Sequence, residues 1–132
     1  MSDLKTAATD TPGNPMAEVL ARWKAAFDGH RTDAMAALFT PDALFQGFDP
    51  EVAAGREAVR AYYAAVAQDR TADVTLLHTY AIGAETAGGF ADVTFRGRDG
   101  WEAAVHLSLV LRLVEGRWLI RQYHVSRVAT DH

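Results

Sequence analysis

Met16, Val19, Leu20, Trp23 and Phe27 recur at three- and four-residue spacing, so they share one face of a helix, while Glu18, Arg22 and Lys24 fall on other faces. Asn14-Pro15 supplies a start, because Asn caps free amides and Pro costs nothing at a first helical position. Gly29-His30 ends this helix, predicted over residues 15–28. A second, short helix capped by Thr32 or Asp33 is predicted to run through Phe39 and to stop at Pro41. Residues 43–48 have the length and composition of a strand. A turn-rich loop follows over 49–55, and a third helix over 56–68 buries Val59, Tyr62 or Tyr63, and Val66.

The pattern then changes. From Val74 to Val128 the β-branched and aromatic content rises, and breaks at Gly88-Gly89, Asp99-Gly100 and Glu115-Gly116 divide the stretch into four hairpin-connected strands. Helices first and an antiparallel meander second make an α+β domain, with the helices covering one face of a curved sheet. At 132 residues one domain suffices, expected over 14–130, and residues 1–13 read as a small, polar, disordered tail without a signal-peptide core. A net charge of −4 with scattered Lys and Arg argues against a nucleic-acid partner. No apolar run approaches the roughly 20 residues of a membrane span, and the lack of cysteine excludes disulfides and suits a reducing cytoplasm.

Two short helices running into Ala43-Leu44-Phe45-Gln46-Gly47-Phe48, a third helix after Gly55-Arg56, and the ending Trp118-Leu119-Ile120 followed by His124-Val125-Ser126 resemble a SnoaL-like, nuclear transport factor 2-like domain. The resemblance spans about residues 16–128. It implies three N-terminal helices on a strongly curved sheet, a cone-shaped half-barrel with an internal cavity, and a homodimer through the outer sheet face. Ketosteroid isomerase shares this architecture. Its helix-one tyrosine, its aspartate base and its protonated aspartic acid fall at Trp23, Gly47 and Leu109, so the resemblance implies that steroid-type isomerase chemistry is lost here.

The same alignment sets strand direction. Val105, Leu107, Leu109 and Leu111 are expected inward, as are Arg121, Tyr123 and Val125, with Gln122, His124 and Ser126 outward unless a bulge intervenes. Trp23, Phe27, Phe45, Tyr62 or Tyr63, Val105, Leu107 and Leu109 would then wall an apolar cavity, with Gln46 and the tyrosines supplying hydrogen bonds. An inward Arg121 beside Tyr123 would hold a carboxylate or enolate; the plainer alternative is an arginine reaching solvent or bridging a dimer. Asp92 or His124 would have to serve as any proton-transfer base, although a lone strand histidine is more often structural.

His78 and His106 have no partner at ligand spacing, and the glycines precede no helix, so neither a metal nor a nucleotide cofactor is implied. Three classes follow for a pocket whose ligand is expected to be apolar with an acidic or carbonyl group. They are an isomerase- or cyclase-type enzyme, a non-catalytic binder, and an association module like that of calcium/calmodulin-dependent kinase II, which also ends on His-x-Ser. For the outer, dimer-forming face the candidates are Leu76, Val110 and Val128.

Overall fold

The computed structural model describes residues 14–128; the tail expected over 1–13 and the end of the domain beyond 128 lie outside the described residues. Helix α1 (Pro15–Asp28) starts as its cap predicts, the Asn14 side chain accepting the Ala17 N–H at 3.1 Å, and buries Met16, Val19, Leu20, Trp23 and Phe27. Helix α2 (Thr32–Ala36) is shorter than predicted and is capped by neither Thr32 nor Asp33, since Arg31 holds the cap position without a side-chain bond. The chain instead enters strand β1 (Phe39–Gln46) early, with Pro41 inside it. Proline is tolerated there because the ladder to the neighbouring strand is irregular between Phe39 and Leu44.

Within the expected loop, a two-residue strand β2 (Ala53–Ala54) pairs with Leu44 and Phe45. Helix α3 (Arg56–Ala64) follows, ending four residues before the predicted limit. Strands β3 (Thr71–Ile82), β4 (Thr86–Arg96), β5 (Glu102–Val114) and β6 (Arg117–Arg127) complete a sheet ordered β2-β1-β6-β5-β4-β3. Only the β1–β6 pairing is parallel. The curled, open sheet wraps the helices, as the α+β reading expected.

One predicted break is displaced. The β3–β4 hairpin turns at Gly83 (φ +69°), whereas Gly88 and Gly89 lie buried inside β4. Their role is close approach: a Cβ on Gly89 would stand 2.0 Å from the His78 carbonyl oxygen, where β3 bulges between Leu76 and His78. A Cβ on Gly88 would meet the Tyr80 hydroxyl at 2.5 Å. The Glu115-Gly116 turn does form as predicted, with φ of +51° and +82°, the positive pair that a two-residue hairpin loop requires.

Alternation sorts the two sheet faces. Ala91, Val93, Phe95, Val105, Leu107, Leu109, Leu111, Tyr123 and Val125 are buried toward the helices. Alternation with Ala72 and Val74 keeps Leu76, expected outside, packed against the core, while Leu77, Tyr80, Ile82 and Phe90 are exposed at the β3–β4 end of the outer face. Seven rings, from Trp23, Phe27, Phe39, Phe45, Tyr63, Phe95 and Tyr123, fill the middle of the cone, with Phe45 stacked on Tyr123 at 4.3 Å and Trp23 on Phe27 at 5.1 Å. No helix among the described residues is long and apolar enough to cross a membrane.

Candidate functional site

Because aromatic rings fill the deep part of the cone, the open volume sits toward its mouth. A cavity of about 240 Å³ lies between α3 with its following turn, the β1–β2 loop, and the ends of β4 to β6. Phe27, Tyr63, Tyr123 and Val125 form its buried end. Tyr62, Val66 and Phe95 add further wall, and Phe48, Arg70 and Trp101 meet solvent. Among the described residues no carboxylate or imidazole lines it.

The polar groups at the buried end form a chain. The Trp23 Nε1–H donates to the Tyr63 hydroxyl at 3.0 Å, in a site where Trp23 is 1% and Tyr63 3% exposed. The Tyr63 and Tyr123 hydroxyls lie near enough to interact, with Tyr63 on the donor side. An indole N–H can only donate, so Tyr63 accepts from Trp23 and its own proton is free to turn toward Tyr123. The Tyr123 proton is then the one left for the cavity. Burial pushes both phenols up, the Tyr63 phenol far above the ordinary value, so each keeps its proton at neutral pH.

Tyr62 does different work. Its hydroxyl accepts the Phe48 N–H at 2.9 Å, and its ring occupies the space beside Gly47, where a Cβ would lie 2.4 Å from that hydroxyl oxygen. The missing side chain at Gly47 is therefore filled by a neighbour and leaves no hole. Burial raises this phenol too, opposed by the Phe48 N–H.

Of the residues nominated from sequence, Phe27, Tyr62, Tyr63 and Tyr123 come together on the cavity. Trp23 stands behind Tyr63, Phe45 is sealed between Tyr123 and Tyr62, and Leu107 and Leu109 are core residues beneath the rings. Arg121 is diverted from the cavity. β6 carries a bulge opposite Val110 and Leu111, so Ile120 and Tyr123 both face inward and Arg121 between them turns to the β1 edge. There its Nη1 donates to the Asp42 carbonyl at 3.0 Å, with Nε 3.5 Å from the Asp42 carboxylate.

Gln46 and His124 border a separate groove with Leu44, Val52 and Gln122, where the Gln46 amide donates to the Pro50 carbonyl at 3.1 Å. Asp92 and His106 pair across β4 and β5 on the outer face at 2.7 Å, half-exposed. No group of three or more His, Asp or Glu among the described residues could hold a metal ion.

The sequence did not nominate Gly47, Phe48, Val66, Ala67, Arg70, Phe95 or Trp101 as lining. Phe95 was within reach: an outward Asp92 puts 91, 93 and 95 inward by alternation. Arg70 and Trp101 were not, because they meet only through the folded hairpin tip. The Arg70 guanidinium lies 4.3 Å over the Trp101 ring.

Solved structures share this fold at low identity. A ketosteroid isomerase-like protein from Erwinia carotovora atroseptica superposes with a TM-score of 0.76 at 18% identity, covering 88% of this chain and 95% of that one. A cystatin-like-fold protein of unknown function from Nostoc punctiforme gives 0.75 at 18% identity over 86% of this chain and 89% of the other. A candidate calcium/calmodulin-dependent protein kinase II association domain from Xanthomonas campestris gives 0.74 at 20% over 90% and 89%. No curated protein matches the chain. Residues 16–131 match the SnoaL-like domain, and the chain belongs to that family.

Proposed function

We propose that the chain is a binding protein for a small, flat, apolar molecule carrying a hydrogen-bond acceptor at its buried end. One observation carries this reading: the cavity is an aromatic slot whose deep polar groups are the Tyr63 and Tyr123 hydroxyls, backed by Trp23. A phenol polarised by a donor chain and surrounded by rings favours a carbonyl or phenolic oxygen. Proton abstraction would need a base within reach of the ligand, and the sequence candidates Asp92 and His124 lie elsewhere. Binding is therefore preferred to the isomerase or cyclase reading.

The test is titration with 2-acetylnaphthalene, a neutral aryl ketone, followed by the fluorescence of Trp101 at the mouth. Saturable binding that Tyr123→Phe weakens about five- to tenfold supports the reading, that being the worth of one neutral hydrogen bond. No saturation up to the solubility limit refutes it. Protein-dependent exchange of the ketone's methyl protons for deuterium in D2O, read by NMR, would instead establish turnover and favour the enzyme.

The exposed patch of Leu77, Tyr80, Ile82 and Phe90 supports a homodimer through the outer sheet face. Sedimentation tests it: a dimer that Phe90→Glu converts to monomer is expected, and a wild-type monomer refutes it. The cytoplasm is the compartment proposed, since a cysteine-free chain needs no oxidising environment.

A further inference from the structure

We infer that the open end of the cavity is a carboxylate clamp built on Arg70 and Trp101, so that the ligand is an aromatic acid with its acceptor end at Tyr123. This rests on the binding reading above and names the ligand's other end. Two rings and two guanidiniums are layered at the mouth. Arg70 lies 4.3 Å over Trp101, Trp101 is 6.3 Å from Phe48 between ring centroids, and the Arg127 guanidinium lies 5.1 Å over Phe48. Arg70, Trp101 and Phe48 all line the cavity.

The Arg70 guanidinium is held in place from several sides. The Trp101 face supports it by a cation–π contact, Asp69 Oδ1 accepts from Nη1 at 3.0 Å, and Gly97 yields the space, since a Cβ there would stand 2.3 Å from Nη1. Asp69 is itself fixed, its other oxygen accepting the Arg98 N–H at 2.9 Å, and that hydrogen bond, with the charge of Arg70, holds its carboxyl below the usual range. Asp69 engages one of the five N–H donors of Arg70, and a planar guanidinium presents the rest in pairs suited to a carboxylate. A dianion fits less well. Asp69 is in contact with Arg70, and Asp99 lies beside Gly97 with its Oδ1 3.0 Å from the position of a Cβ there, so a second negative charge on the ligand would be repelled.

The probes are 6-hydroxy-2-naphthoate and its uncharged amide, titrated at pH 7 into the full chain and into Arg70→Gln and Arg70→Lys. The wild type should bind the acid about 10- to 100-fold more tightly than the amide, as expected for charge-assisted hydrogen bonds. Arg70→Gln should remove that preference, read as the ratio of acid to amide affinity, with an unchanged far-UV circular dichroism spectrum reporting an intact fold. Arg70→Lys should restore only part of it, because an ammonium keeps the charge without the planar fork. Equal wild-type affinities for acid and amide, or a preference that survives Arg70→Gln, overturns the clamp and leaves the binding reading standing. Binding of neither probe up to its solubility limit overturns both.

Discussion

Replacing Tyr63 by Phe removes a single oxygen, and the geometry around that oxygen sets the cost. Trp23 Nε1–H points at it from 3.0 Å, and neither residue reaches bulk water. Without the hydroxyl the indole donor is buried with no acceptor, a penalty of about 1–3 kcal/mol. Tyr123 also loses its partner, which adds about 0.5–1 kcal/mol, while the phenyl ring keeps the packing against Phe27 and Phe45. Tyr63→Phe should therefore destabilise the domain by about 1.5–4 kcal/mol.

Tyr123→Phe leaves the Trp23–Tyr63 bond intact and should cost about 0.5–1.5 kcal/mol. Urea unfolding followed by far-UV circular dichroism, with unchanged slope, gives both values. The sharper form is a cycle with Trp23→Phe. When the donor is already absent, Tyr63→Phe should cost about 1 kcal/mol less than in the wild type, and that difference is the coupling. Equal costs for the two tyrosine variants, or the same Tyr63 cost with and without Trp23, would refute the donor chain and with it the free proton assigned to Tyr123.

Arg121→Leu should leave binding of either naphthalene acid or ketone unchanged within about twofold, since its guanidinium is committed to Asp42; isothermal titration checks this. Gly89→Ala should fail to fold or lose at least about 3 kcal/mol by chemical denaturation, because the new Cβ meets the rigid His78 backbone at 2.0 Å. Gly83→Ala, at a φ of +69° with open space around it, should cost only about 1 kcal/mol. Asp42, Asp69 and Asp73 all have carboxyls lowered by hydrogen bonds, from Thr40, the Arg98 amide and Arg96 respectively. A depressed folded-state value means stability that is fully present above the ordinary value of 3.8 and is lost as pH falls through the folded one. Thermal melts should hence be flat in this contribution above about pH 5 and decline below pH 4, and the decline should shrink in Asp69→Asn.

How far the sequence reaches can be seen in two pairs of residues. Tyr123 and Arg121 are two apart on one strand, and strict alternation sends both inward; a single bulge opposite Val110 and Leu111 keeps Tyr123 in the cone and turns Arg121 to the sheet edge. Gly88 and Gly89 look like a turn because glycine is the residue of turns, yet Gly89 serves a second bulge, where the backbone of β3 comes too near for any Cβ, and Gly88 makes room for the Tyr80 hydroxyl and the Leu109 carbonyl. In both cases the element was legible, since periodicity and turn chemistry are local, and the departure was not, since a bulge is decided by the partner strand.

The cavity follows the same rule on a larger scale. Phe27, Tyr62, Tyr63 and Tyr123 could be nominated because each lies on a buried stripe, but whether a buried stripe encloses space depends on how many ring volumes meet in the cone. Here seven rings meet and close the depth, which moves the open volume outward to residues that only the folded β4–β5 hairpin tip brings to α3. That displacement exchanges the expected anchor for another arginine. Arg121, beside the closed depth, turns away to the β1 edge and Asp42, while Arg70, at the mouth, spends one donor on Asp69, lines the cavity and has a ring to lie on. Filling the depth with aromatics thus deprives the site of a deep charged group and leaves a cation at the mouth, which is why the proposed ligand carries its charge at the outer end.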